Sequence, residues 1–297
     1  MTLTTGFAIW AISLLAVAAL GRSRTSARIG VVIAAALTPL PLLIDGEPML
    51  RAALAFLLAV LLAAAVEFAT GRTHPVFANR LVFVFALHGL IDTFTATPTP
   101  RRFDTNSAMR TFVALAIGVG AFLLWRATFD WDKAPRAVAW NLAAIVLVLA
   151  VAEIMTSSVR LATGLFGVEL QPVHDRPHLS RTVGEFWSKR WNLMTGRWLR
   201  IHTFLPLVRR SPLLALLAAF TLSAAMHVYL ILVPGDAWAW LSWAAFFMAQ
   251  PLLILAERKL HVRHWPPLAA RTWTIGSLAL LSPLLFIPIL KLITPIV

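Results

Sequence analysis

Few residues in this chain have side chains that could do chemistry, and most of them cluster late in the sequence. His227 is the single histidine of the apolar run Pro212–Val233. At helical rise it lies about 22 Å past the basic residues that precede that run. An ionisable group so deep in hydrocarbon faces the bundle interior or a wet cavity. Low-dielectric surroundings disfavour an imidazolium and leave a neutral ring that can accept a proton. The plainer role is a neutral ring hydrogen-bonded to a neighbouring helix. Ser223 stands one turn earlier on the same face and would orient the ring or fill space.

Upstream of His227, the stretch from Gln171 to Pro206 interleaves Trp187, Trp191 and Trp198 with Lys189, Arg190, Arg197 and Arg200 around a lone amide, Asn192. Taken alone, Asn192 is an unremarkable surface amide of an interfacial helix. His88 and Asp92, four residues apart, can share a helix face. They would line a pocket or satisfy backbone groups in a broken helix. Glu67 and Glu153 lie near the ends of apolar runs, where Arg72 and Arg160 are the natural partners. His174 with His178 and His261 with His264 have the spacing of ligand pairs. Neither has a cysteine or second carboxylate nearby and both are flanked by arginines, so no metal site is expected. The chain has no Cys and no G-x-S-x-G elbow, which excludes a thiol nucleophile and argues against a serine hydrolase.

These residues sit in a chain that is 59% hydrophobic and 13% charged, with a mean hydropathy of +0.79. Water-soluble domains carry roughly twice that share of charge, about 25%. Too little polar surface remains to cover a soluble globule, and an all-α integral membrane protein follows. A net charge of +13 could suit nucleic acid. The basic residues, however, fall in short clusters between apolar runs, as loops do that meet anionic headgroups or an anionic soluble substrate. The first run, Leu3–Leu20, lacks a basic segment before it and has Arg22, Arg24 and Arg28 after it. That order reads as a retained span with its N-terminus outside, not a cleaved leader.

A hydrocarbon core of about 30 Å takes roughly 20 helical residues. Runs of this kind are Leu3–Leu20, Ile29–Ile44, Ala52–Ala69, Thr111–Arg126, Val138–Met155, Pro212–Val233, Trp238–Ala256 and Thr272–Leu292. Leu81–Ala96 is short and carries His88 and Asp92. If it dips in and returns, most arginines, including the whole Arg160–Arg210 cluster, fall on one side. The positive-inside rule prefers that arrangement. The expectation is therefore a single polytopic domain over residues 1–297: about eight spans, a re-entrant Leu81–Ala96, and both termini outside. No half-repeats are visible. Val183, Trp187, Trp191, Met194, Trp198 and Ile201 recur at helical spacing and predict one amphipathic helix lying at the cytoplasmic interface. Ser180, Arg181 and Thr182 offer caps for its start.

The block Glu185-Phe-Trp-Ser-Lys-Arg-Trp-Asn-Leu-Met, preceded by Pro177-His-Leu-Ser and followed by Leu199-Arg and Pro206, resembles the wax synthase branch of the membrane-bound O-acyltransferase superfamily. That branch carries F-W-G-R-R-W-[HN], then a proline, then a lone His in the next apolar span. Ser188 and Lys189 stand where Gly-Arg is usual, and Lys offers no bidentate fork. The resemblance covers about residues 170–235. It implies a bundle around a catalytic tunnel, with His227 and Asn192 as the functional pair in one active site. Acyl-CoA would be a co-substrate entering from the cytosol, with no permanently bound cofactor, and the acceptor a lipophilic alcohol from the bilayer. It further implies that His227 removes the acceptor's proton while Asn192 donates to the thioester oxygen. Lys189, Arg190, Arg197 and Arg200 would meet CoA phosphates, although plain positive-inside topology accounts for most of them. Trp187 and Trp191 would wall the channel or anchor the interface. A fatty alcohol is the expected acceptor, with a sterol next and diacylglycerol after it. From a different class, a transporter or flippase for an amphipathic anion would need paired broken spans that the chain lacks; a catalytically dead scaffold is the third option.

Overall fold

In the computed structural model, which describes residues 1–72, 75–85, 100–165 and 172–293, the regular elements are helices, with one isolated bridge between Thr2 and Asp45. Eight helical segments among these residues are long and apolar enough to cross a membrane: Leu3–Leu20, Arg24–Leu43, Pro48–Ala69, Thr105–Ala127, Pro135–Ala162, Pro212–Ile231, Ala237–Lys259 and Pro267–Lys291. They correspond one for one to the eight apolar runs. Several begin earlier than those runs, because hydrogen bonding carries a helix past its apolar part to the nearest cap. Thr2 accepts from the Thr5 amide at 3.3 Å to start α1 (Leu3–Leu20). Ser23 does the same for α2 (Arg24–Leu37). A further turn, α3 (Leu40–Leu43), extends the second span. Of the expected re-entrant segment, residues 81–85 form the end of α5 (Phe77–Phe85), and residues 86–96, with His88 and Asp92, lie outside the described residues.

The chain gathers into two compact units. The first comprises Met1–Ala96 and Ala225–Trp240. Its core is built where α1, α2 and α4 (Pro48–Ala69) meet, around Val17, Leu54, Leu58, Leu61 and Phe68, all essentially inaccessible. The buried positions of α2 are Ala27, Gly30 and Ala34. Small residues at this spacing bring helix backbones close, which drives packing in lipid where the hydrophobic effect does not. Gly21 ends α1 under Phe68; an added Cβ there would sit 2.5 Å from the ring. Glu67 is fully buried and pairs with Arg72 at 3.3 Å, as its position predicted. Buried Arg80 donates to the carbonyls of Ala18 (2.6 Å) and Pro75 (2.8 Å).

The second unit comprises Thr97–Ala224 and Leu241–Val297. Its frame is a helical hairpin of α6 (Thr105–Ala127) and α7 (Lys133–Leu165). Trp125, Phe129 and Trp140 close the turn, with ring centroids 5.0–5.7 Å apart. At the open end Asp104 caps α6 through the Ser107 amide and hydroxyl. Those hydrogen bonds, assisted by Arg160, hold its carboxyl below the usual aspartate value. The expected Glu153–Arg160 pair does not form. Two helical turns separate these residues on α7, about 10 Å along the axis. Glu153 instead accepts from Nε and Nη2 of Arg110 on α6, at 2.6 and 3.1 Å, and Arg160 reaches Asp104 at 3.7 Å.

Candidate functional site

The stretch after α7 was expected to be one amphipathic helix; the structure breaks it. A single turn, α8 (Val183–Glu185), runs into a π-turn at Phe186–Arg190. Trp191 is extended, Asn192 is left-handed (φ 41°, ψ 59°), and a new helix, α9 (Leu193–Leu199), begins. A second π-turn at Arg200–Phe204 leads to α10 (Leu205–Val208). The stripe is helical in spacing, but specific hydrogen bonds outweigh continuing the helix. Thr182 accepts from the Glu185 amide at 2.9 Å, and Glu185 reaches back to the Arg181 amide at 2.8 Å, a reciprocal cap. Buried Glu257, on α12 (Ala237–Lys259), takes the orphan amides of Val183 (2.6 Å) and Gly184 (3.3 Å). Thr182 is thus the cap that the sequence offered.

The π-turn sets Trp187, partly buried, against the core of the second unit. Its ring packs edge-on to Phe220 and Phe246 and tilted to Phe247, at 6.1–6.4 Å. The indole N–H donates to Gln250 Oε1 at 3.0 Å, and fully buried Gln250 donates onward to the Phe246 carbonyl at 2.9 Å. This side chain anchors the loop to α11 (Pro212–Ile231) and α12. Trp187→Ala should lower the thermal midpoint of the purified protein more than Gln250→Leu, because it removes the ring as well as the hydrogen bond. Core Trp→Ala changes cost about 3–5 kcal/mol, whereas a stranded donor costs about 1–3 kcal/mol. Unfolding scans in detergent check the order.

Asn192 sits where the two halves of the loop turn. Its left-handed backbone is one that Asn tolerates better than most side chains. Its Oδ1 caps α9 through the Thr195 amide at 3.3 Å, leaving Nδ2 without a partner among the described residues. The turn is held by the segment before it. The Asp175 amide donates to the Arg190 carbonyl (2.8 Å), the Leu193 amide to the Val173 carbonyl (2.9 Å), and the Asn192 amide to His174 Nδ1 (3.1 Å). The His174 ring is 8% exposed and lies 4.4 Å from that of Trp191, which stacks in turn on Phe186 at 5.7 Å and 11°. Sequence spacing offered His174 only as half of a weak metal pair. Nothing in the sequence signalled its bond to Asn192, since the two are 18 residues apart and neither lies in a shared periodic element.

Burial pushes the His174 imidazole below the usual histidine range; the Glu153 charge opposes this and Arg110 adds to it. The ring is therefore neutral near pH 7, as an Nδ1 acceptor must be. Burial pushes the Glu185 carboxyl up. The Arg181 amide and the Arg190 guanidinium outweigh it and hold that carboxyl below the ordinary glutamate value.

The cations divide by placement. Arg190 is half-buried and committed to the loop, donating to Glu185 at 2.7 Å and to the Asp175 carbonyl at 3.3 Å. Lys189, Arg197 and Arg200 are exposed. Ser188 folds its hydroxyl back on the Gly184 carbonyl at 2.6 Å. His227 lies in the last turns of α11, half-buried, within the first unit. Two residues on, the Tyr229 hydroxyl donates to the Thr38 carbonyl at 2.7 Å and fixes that end of the helix against the end of α2. Asn192, His174, Trp191, Trp187 and the loop cations belong to the second unit. No group of three or more potential metal ligands is present among the described residues.

Eight apolar helices of membrane length, with a basic, aromatic loop tied down by buried hydrogen bonds, define a multi-pass integral membrane protein. Residues 170–249, which take in the Asn192 turn, α11 and the first half of α12, match the model of the Membrane bound O-acyl transferase family. Among curated proteins it is 29% identical over 146 residues to "Probable long-chain-alcohol O-fatty-acyltransferase 3" of Arabidopsis thaliana. It is 32% identical over 82 residues to "Long-chain-alcohol O-fatty-acyltransferase" of Simmondsia chinensis, and 28% over 111 residues to "Acyl-CoA--sterol O-acyltransferase 1" of Arabidopsis thaliana. These matches cover 42%, 25% and 35% of this chain and 41%, 23% and 32% of the relatives' own lengths.

Proposed function

We propose that the chain transfers an acyl group from acyl-CoA to the hydroxyl of a lipophilic alcohol dissolved in the membrane. The observation that supports this most is the family match over the segment that carries Asn192 and His227. In this reading neutral His227 accepts the proton of the acceptor hydroxyl as its oxygen attacks the thioester carbonyl. The Asn192 Nδ2 amide donates to the carbonyl oxygen as charge develops there. The C–S bond then breaks, and the CoA thiolate takes up the proton carried by His227. Ester and free CoA are the products. A tunnel among the spans would admit the two substrates from opposite directions, CoA from the cytoplasmic side where the basic loops gather. The exposed cations Lys189, Arg197 and Arg200 are the candidates for CoA phosphates, and Trp191 for the channel wall. Trp187 and Arg190 would serve by holding the loop.

A long-chain fatty alcohol is the acceptor that most of the named relatives favour. The relative named as a sterol acyltransferase supports a sterol as the second choice. Membranes containing the protein, incubated with labelled acyl-CoA and a panel of fatty alcohols, sterols and diacylglycerol, should yield labelled ester resolved by thin-layer chromatography. The fatty-alcohol lane should be strongest. Absence of ester in every lane would overturn the reading.

A further inference from the structure

Resting on the reading above, we propose that His174 is a positioning residue, a neutral buried ring whose Nδ1 accepts the Asn192 amide and holds that residue in the left-handed turn from which its side chain acts. Four hydrogen bonds join residues 173–175 to 190–193; two are backbone to backbone, and a third runs from the Arg190 guanidinium to the Asp175 carbonyl. The fourth, from the Asn192 amide to His174, is different in kind. It takes the amide of the residue proposed to touch substrate, and its acceptor is a side chain that can lose acceptor capacity.

Physical chemistry makes this bond conditional. A left-handed non-glycine residue costs roughly 1–2 kcal/mol, so Asn192 stays there only while its surroundings over-determine it. Its Oδ1 is spent on capping α9. Its carbonyl likewise serves α9, accepting from the Gly196 amide, so its backbone amide is the handle on the segment before it, and His174 holds that. The Trp191 ring at 4.4 Å fixes the plane of the imidazole and so the direction of its lone pair. A protonated imidazole would present N–H to N–H, and the bond would become a repulsion.

The charged groups around His174 come from each element packed on it. Glu153 on α7 and Arg110 on α6 bear on its titration with opposite signs. On the loop itself, Asp175 is its neighbour, and Arg190 donates to the Asp175 carbonyl. Burial adds to the disfavour of the cation. The neutral state is therefore favoured in the fold over the unfolded chain. That contribution is fully present above the ordinary histidine value of about 6.5 and is lost as pH falls through the depressed folded value. Turnover should show an acid limb below about pH 6.5 for the same reason.

The test uses the full-length protein in membranes or detergent. His174→Phe keeps a ring against Trp191 but has no acceptor; His174→Asn offers an oxygen close to where Nδ1 stood. His174→Phe should lower kcat about 10²-fold, the scale of a small misplacement of a reacting group, with little change in KM for acyl-CoA or alcohol. His174→Asn should recover most of that loss and make the acid limb shallower, leaving the part that belongs to the His227 base. In an Asn192→Ala background His174→Phe should cost nothing more. Equal losses in both backgrounds, or a loss confined to KM, would overturn the positioning role. Hydrogen exchange read by mass spectrometry gives a second arm that needs no activity. The peptide containing the Asn192 amide should lose protection in His174→Phe while peptides of α11 and α12 keep theirs. Unchanged protection there would overturn the hydrogen bond itself. If wild-type protein made no ester with any alcohol yet this exchange difference appeared, the functional reading would fail and the His174–Asn192 link would stand.

Discussion

His227→Ala should reduce ester formation from acyl-CoA by about 10²–10⁴-fold, the range that a positioned general base supplies, while the protein remains folded. The side chain is half-buried and lies in the last turns of α11. That end of the helix is held by the Tyr229 hydroxyl on the Thr38 carbonyl at 2.7 Å, which the substitution leaves in place. Truncating one imidazole to a methyl also keeps the helix, since Ala has the best helix propensity. A monodisperse gel-filtration profile and a thermal midpoint near that of wild type would establish folding. Chromatography of the labelled lipids would establish the loss. Turnover close to wild type in His227→Ala would remove His227 from the chemistry altogether.

The second large effect is expected at Asn192, and the structure supplies a sharper variant than alanine. Asn192→Ala should lower kcat more than it raises KM. It also removes the α9 cap and places Ala in a left-handed conformation, so its effect mixes chemistry with stability. Asn192→Asp separates them. Aspartate accepts from the Thr195 amide as asparagine does, and it tolerates the left-handed region. What it lacks is the Nδ2 donor. If that donor meets the developing oxyanion, Asn192→Asp should fold with little loss of stability and lose about 10²–10³ in kcat. Full activity in Asn192→Asp would reduce Asn192 to a turn residue. A rise in KM with kcat preserved would make it a binding residue.

Much of the fold was legible because hydrophobicity along a chain is a local property. Each apolar run long enough to span a bilayer became a helix, and the corrections fall at the ends. The Ser23 and Asp104 caps begin helices before the greasy residues do. The single amphipathic helix from Val183 to Ile201 was misread for the same reason in reverse. Its 3.6-residue spacing is real, but the acceptors that break it lie elsewhere in the chain. His174 is 18 residues away from the amide it binds, and Glu257 is 74 residues away from Val183. Gln250 lies 63 residues beyond Trp187. Periodicity reports which face is apolar; it carries no information about which remote side chain takes an amide.

The candidate site divides along the same line. The sequence by itself determined that this is a membrane protein and where its spans lie, because hydropathy is written locally; residue type and hydrocarbon depth pointed to His227, and only the resemblance of the surrounding block pointed to Asn192. Only the tertiary structure decided that Asn192 is a left-handed turn residue and not part of a helix surface. It also turned Trp187 inward to Gln250, bound Arg190 to Glu185, and made His174 the acceptor that holds the turn. Apart from the Arg190–Glu185 pair, five residues apart, these depend on hydrogen bonds between groups remote in sequence. Such a bond exists only once packing has excluded the water that would otherwise satisfy both ends.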